Sequence, residues 1–213
     1  HGLGLRDAGM IDSNCAPEGA GRKQRILPDP VPPHPLLDGK TEIGRGEYSI
    51  VLDKGDGERV YKVVSSPADY FLYTAEDRPR GEHFPIIHAD HGVIGRASSG
   101  YPLHLLEMEK LYPLGDGTPA AELARALIEV YWSACQQWHR LGADMGRIAL
   151  HHISTQPMTM AISQSMQDAL KALSDFVDDY QVLPDLLNAN NLMTRKDGTL
   201  VFSNNKRHFK MDL

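Results

Sequence analysis

Residues 43–64, IGRGEYSIVLDKGDGERVYKVV, constrain the fold of this chain more than any other stretch. They read as two β-strands joined by a turn. Gly44 and Gly46 open the stretch, and because glycine has no Cβ the backbone there can approach an anionic group closely. Lys54-Gly55-Asp56-Gly57 carries the turn, since Gly and Asp tolerate positive φ. The alternation in Arg59-Val60-Tyr61-Lys62-Val63-Val64 puts Val60, Lys62 and Val64 on one face. An ammonium between two valines on an apolar face needs an anionic partner, because burying it unpaired is costly. The partner we expect is a phosphate.

At 213 residues with 41% apolar side chains, the chain can build one domain or a two-lobed one around a sizeable core. A net charge of −6 and a pI near 5.9 argue against a nucleic-acid binder. The KRHFK run near the end is too short to act as a basic patch. No apolar run approaches the ~18 residues of a membrane span. No secretory apolar region is visible either. Cys15 and Cys135 form no obvious pair and no metal spacing, so a reducing compartment is the expected setting. The chain opens on His1, which is expected of a processed or trimmed form. Residues 1–37 are rich in Gly, Pro and small polar residues and lack periodicity. They read as a mobile leader whose last part, from Ile26 to Leu37, is a Pro-rich strap laid along the domain.

Ser66-Pro67 starts a short helix, Ser66 as cap and Pro67 at the first helical position. Two strands follow around the turn RASSG, covering residues 85–94 and 101–111. Thr118-Pro119 opens a longer helix expected to run to about Leu141 and stop at Gly142. Its stripe is Leu123, Leu127, Val130, Tyr131, Ala134, Trp138 and Leu141. A second helix spans about residues 163–180, with Met166, Leu170, Leu173, Phe176 and Val177 at helical period. Lys196-Asp197-Gly198 is another turn, followed by a short strand over residues 199–202. Cys135 and Trp138 are packing residues in this reading. His139, His151 and His152 are structural, because no third ligand falls at metal spacing.

The pattern GxGxxSxV, Gly44 to Val51, with Lys62 eighteen residues after Gly44, resembles the glycine-rich loop and strand-three lysine of protein kinases. Ser49 stands where that pattern has its third glycine. The resemblance implies that Gly44, Arg45, Gly46, Ser49 and Val51 cover a nucleotide whose α- and β-phosphates Lys62 holds. It implies a glutamate on the next helix paired with Lys62: Glu76 is the candidate, with Asp69 and Glu82 as rivals. Met108-Glu109-Lys110-Leu111 resembles the hinge. Met108 would be the gatekeeper there, and the main chain of Glu109 and Leu111 would bind adenine.

Further on, Asp185-Leu-x-x-x-Asn190-Asn191-Leu-Met, then a hairpin leaving through Asn204-Asn205, resembles the kinase catalytic and metal-binding loops. Asp185 would take the hydrogen bond of the attacking hydroxyl. Asn191 would be the metal ligand, with Asn190 as the alternative; Asn190 has the family spacing, and Asn191 the family position before Leu-Met. Asn204, thirteen residues after Asn191, stands where the family has its metal-bridging aspartate. Leu183-Pro184 replaces the histidine-arginine pair usual before the catalytic aspartate. The neutral amide at Asn204 reads either as an inactivating substitution or as a site that draws its charge elsewhere, for example from Asp212.

The resemblance covers about residues 40–205. It implies an α+β, two-lobed, kinase-like fold: an antiparallel β N-lobe and hinge over residues 38–111 with one short helix, and a reduced helical C-lobe over 112–213. The size and layout resemble the minimal kinase effectors that bacteria secrete into the host cytoplasm, one family of which phosphorylates the ninety-kilodalton heat-shock chaperone. The implied activity is that of an ATP-dependent, Mg²⁺-dependent serine/threonine protein kinase. Its partners would be ATP and a host protein, with no nucleic acid and no membrane, and the chain would be a monomer. The alternatives are a small-molecule phosphotransferase of the aminoglycoside type and a catalytically dead, nucleotide-binding client mimic.

Overall fold

Alternation decides how the strand that carries Lys62 is buried. In the computed structural model, which describes residues 27, 29–155, 161–181, 187–189 and 191–203, this strand is β3 (Arg59–Val64), and every residue after Arg59 is buried. Val60 and Val64 enter the larger hydrophobic core, while Tyr61 and Val63 enter a second one on the opposite face. A strand covered on both sides sits in the middle of its sheet. The five-stranded antiparallel sheet has the order β1-β2-β3-β5-β4. Its members are β1 (Thr41–Arg45), β2 (Ser49–Asp53), β3, β4 (Ile87–Arg96) and β5 (Pro102–Glu109). Register sets Lys62 opposite Val51 on one side and Leu106 on the other.

The second core explains where the proline-rich segment goes. Leu27, Val31, Leu36 and Leu37 pack with Ile50, Leu52, Tyr61, Val63, Leu103 and Leu105 on the outer face of the sheet. The segment is also tied by polar contacts at both ends of the sheet. The Leu27 amide donates to the Gly46 carbonyl (2.8 Å). The Asp29 carboxylate accepts from the Ser98 amide (2.7 Å) in the β4–β5 turn. The strap thus spans from the glycine-bearing turn to the far edge of the sheet.

The larger core joins the other sheet face to the helices. Helix α1 (Pro67–Thr74) is capped by Ser66, with Pro67 in its first turn. Helix α2 (Pro119–Gln137) is capped by Thr118. It ends earlier than its sequence implies: a 3₁₀ segment (His139–Asp144) follows, with Gly142 at φ 57. Leu141 is therefore 47% exposed and leaves the expected stripe. A third long helix, α3 (Met145–Thr155), was not anticipated, although Met145, Ala149, Leu150 and Ile153 recur at helical steps and are buried. Helix α4 (Gln164–Tyr180), capped by Ser163, buries Met166, Leu170, Leu173, Phe176 and Val177, the stripe that its sequence predicts. Truncating one such residue, Leu127 or Leu170, to alanine costs ~2–5 kcal/mol through lost burial and the cavity left behind.

Cys135 lies fully buried in this core and is not a free thiol, contrary to the sequence reading that found no pair for it. Of the described helices none is long and apolar enough to cross a membrane. A small second sheet, β6 (Tyr112–Pro113), β7 (Leu192–Thr194) and β8 (Leu200–Phe202), is antiparallel in the order β6-β7-β8. The described residues are α+β, with antiparallel sheets and four α-helices among them. The Phe202 amide donates to the His83 carbonyl (2.9 Å), bringing the end of β8 up against the segment that leads from α1 into β4.

Candidate functional site

Lys62 is fully buried, on the face of β3 that looks toward the helices. Its ammonium donates to the Tyr73 hydroxyl (3.2 Å) and to the Ser203 main-chain carbonyl (3.3 Å). That carbonyl also accepts from the Tyr73 hydroxyl (2.7 Å). The Lys62 nitrogen lies 4.8 Å from the centroid of the Tyr73 ring, close enough for a cation–π attraction. Burial pulls the Lys62 pKa down to about 8, against the carboxylate of Asp69, which raises it. Burial, with Asp69 adding to it, pushes the Tyr73 hydroxyl well above the usual tyrosine range.

Ser203 connects this lysine to the end of the chain. Its amide donates to the Asn191 carbonyl (2.8 Å), and the Asn191 amide donates to the Asn188 carbonyl (2.9 Å). Asn191 and Ser203 are both completely buried. Lys62 on β3, the turn before β7 and the exit of β8 therefore converge on one point. Asn204, the next residue after Ser203, lies outside the described residues, as do Asp185, Asn190 and Asp212.

The glycine-bearing segment is a tight turn in which the Gly46 amide donates to the Ser49 carbonyl (2.8 Å). Gly44 and Gly46 are buried; Gly44 lies across from Val51 beside a β-bulge. Ser49 and Val51 are buried on β2. Arg45 points away from Lys62's neighbourhood. Its guanidinium is engaged bidentately by Glu42 (2.6 and 3.0 Å) and by the carbonyls of Leu27 and Asp29. Its side chain thus ties the strap to β1, a role its place in the motif did not announce.

The partner expected from the short helix is not Glu76. Helix α1 stops at Thr74, and Glu76 is exposed beyond it, its carbonyl capped by Arg80. With Leu72, Asp69 (one of the rivals) and Tyr73 are the buried residues of the helix; these two lie four apart on one face and are 3% and 2% exposed. Glu82, the other rival, is exposed, 3.6 Å from the His83 ring. Tyr73 went unrecognised because the search was for a carboxylate; the spacing Asp69–Tyr73 was the available signal.

At the end of β5, Met108 is fully buried opposite Val60. The Glu109 amide is taken by the Ile86 carbonyl (3.0 Å). The Glu109 carboxylate receives Arg195 from the β7–β8 turn (2.8 Å) and the Ile86 amide (2.9 Å). Arg195 also reaches the carbonyls of Glu82 and Phe84. It staples the two sheets together and was missed in the sequence, where it looked like an ordinary turn residue. Leu111 packs with Met193 and Val201 in a small separate cluster, a greasy floor beneath the strand end.

Among the described residues no group of three or more His, Cys, Asp or Glu side chains is placed to hold a metal ion. Of the expected magnesium ligands, Asn191 is the described one, and its amide oxygen is of the hard, neutral type that Mg²⁺ accepts. No family model matches the chain, and comparisons with curated proteins and with solved structures find no match.

Proposed function

We propose that this chain is a small two-lobed, ATP-dependent protein kinase. Its sheet and short helix α1 form the N-lobe, and its helices with the β6-β7-β8 sheet form a reduced C-lobe. One observation supports the reading most. Lys62 meets the Ser203 carbonyl across 141 residues of sequence, next to the position at which the kinase resemblance expects its metal-binding residue. An ammonium with a pKa of about 8, surrounded by Val51, Val60, Leu106 and Met108, is poised to gain from an anionic ligand.

In this reading Lys62 holds the α- and β-phosphates, and the turn from Gly44 to Ser49 covers them. Met108 closes the back of the adenine pocket, and the carbonyl of Glu109 and the main chain of Leu111 face the adenine edge. Asp185 takes the proton of a serine or threonine hydroxyl as its oxygen bonds to the γ-phosphorus and the bond to the departing ADP breaks. Asn191 or Asn190, with Asn204, would hold Mg²⁺, which neutralises phosphate charge. The acceptor would be a host protein, the heat-shock chaperone among the candidates, reached by secretion from a bacterium.

The neutral Asn204 favours a second reading, a nucleotide-binding docking module without turnover. Transfer of radiolabelled phosphate from ATP by the Asn204→Asp chain, set beside the same chain with Lys62→Ala, tests the first reading. Incorporation by the former alone supports it; equal incorporation by the two counts against it.

A further inference from the structure

The kinase resemblance leads one to expect a carboxylate fixing Lys62, and the nearest candidate by sequence, Glu76, is outside the helix and exposed. Among the described residues, the helix side chain that hydrogen-bonds Lys62 is the neutral hydroxyl of Tyr73. We propose that Tyr73 is the positioning residue of the lysine, holding its ammonium against the exit of β8 through a shared hydrogen-bond triangle, with Asp69 supplying the negative charge one helical turn earlier. This rests on the nucleotide reading for its purpose but not for its geometry.

The triangle has three members within bonding distance: Lys62 to Tyr73 (3.2 Å), Lys62 to the Ser203 carbonyl (3.3 Å) and Tyr73 to the same carbonyl (2.7 Å). The donor directions are consistent. The Tyr73 hydroxyl gives its proton to Ser203, which leaves its lone pairs for the lysine N–H. The ring lies beneath the same nitrogen at 4.8 Å, so Tyr73 makes both a hydrogen bond and a cation–π contact with one charge. Tyr73 is 2% exposed and belongs to the large core, so the hydroxyl is held in place before any ligand arrives.

The charged and titratable side chains facing Lys62 among the described residues are Asp69 and Tyr73, both from α1. From β2 and β5 the register supplies Val51 and Leu106. The consequence is functional. Tyr73 orients the lysine through a neutral hydroxyl, which adds no charge of its own for a phosphate to displace. A short helix that stops at Thr74 can do this because residues 69 and 73 share one face, and no longer helix is required.

The test uses the full chain with Tyr73→Phe, which keeps the ring and removes the hydroxyl, and with Asp69→Asn as a second variant. Two quantities are read. The pKa of the Lys62 amine in the nucleotide-free protein comes from the pH dependence of its side-chain ¹³Cε chemical shift, which needs no access of a reagent to the buried nitrogen. The Kd for Mg·ATP comes from titration calorimetry. Both substitutions are expected to lower the Lys62 pKa, and Tyr73→Phe to weaken Mg·ATP by about tenfold, the low end for one hydrogen bond to a charged partner.

An unchanged Lys62 pKa and Kd in a folded Tyr73→Phe chain overturns the proposal and leaves Tyr73 a packing residue. A wild-type chain that binds no Mg·ATP overturns the nucleotide reading instead. The Lys62 titration then still decides whether Tyr73 positions the lysine. If Tyr73→Phe does not fold, an Asp69→Asn chain with an unshifted Lys62 pKa overturns the electrostatic half, and a lowered one supports it.

Discussion

Replacing Lys62 with methionine should make the ligand-free protein more stable, although the lysine is the residue around which the site is built. Its side chain is fully buried, and its pKa falls from 10.5 to about 8. A displacement of that size corresponds to about 3 kcal/mol by which the folded state disfavours the charged form at neutral pH. Methionine has nearly the same length and no charge, so it removes this cost. It also gives up the hydrogen bonds of an amine to Tyr73 and Ser203, about 1 kcal/mol net. The Ser203 carbonyl is not stranded, because Tyr73 still donates to it at 2.7 Å. The balance is about 2 kcal/mol in favour of methionine at pH 7, or ~4–8 °C in Tm for a chain of this size. Urea denaturation at pH 7 and at pH 10 reads it. Because the folded pKa lies below the unfolded one, the unfolded chain binds more protons between about pH 8 and 10.5. Wild-type stability therefore gains from Lys62 as pH rises through that window, and the advantage of methionine shrinks. A methionine variant less stable than wild type by 1 kcal/mol at pH 7, or an advantage that does not change with pH, refutes the reasoning.

Other parts of the structure give further expectations. If Mg·ATP binds the protonated lysine, its Kd should rise above pH 8 and be ~10-fold weaker by pH 9 than at pH 7, as competition with deprotonation at a pKa of about 8 requires; a flat Kd over that range contradicts it. Arg195→Ala leaves the Glu109 carboxylate with the Ile86 amide alone of these two partners and should cost ~1–2 kcal/mol in denaturant unfolding, a loss that Glu109→Gln in the same chain should partly recover. Asp29→Ala frees the strap from the Ser98 amide and should lower stability by ~1 kcal/mol, with faster limited proteolysis before Thr41 than in wild type.

The strands and their faces were legible because period-two alternation is a local signal: Val60 and Val64 on one side of β3 and Tyr61 and Val63 on the other follow from spacing alone. The helix starts were legible for the same reason, since Ser66-Pro67 and Thr118-Pro119 are chemical statements about unsatisfied N–H groups. Helix ends were harder. Nothing in the run from Gln136 to Leu141 says that the α-helix tightens before Gly142 rather than at it, so the sequence puts Leu141 in the stripe and leaves α3 unassigned.

At the site, Lys62 stands out because its neighbours are apolar, and the end of β5 because of its order in the chain. Tyr73, Arg195 and the strap role of Arg45 did not. Each depends on a contact between residues far apart in sequence: Tyr73 with Ser203 across 130 residues, Arg195 with Glu109 across 86 and Arg45 with Leu27 across 18. A tyrosine in a short amphipathic helix looks like core from its sequence, and only the carbonyl it meets makes it polar machinery.

The central claim is that Lys62 and the exit of β8 form one phosphate-binding corner. Calorimetric titration of Mg·ATP into wild type and into folded Lys62→Met tests it most directly. The account predicts saturable binding by the wild-type chain and a loss of roughly 30- to 100-fold in the methionine variant, the worth of one charge-assisted contact to phosphate. Equal affinity in the two proteins, or no binding by the wild type, would contradict it.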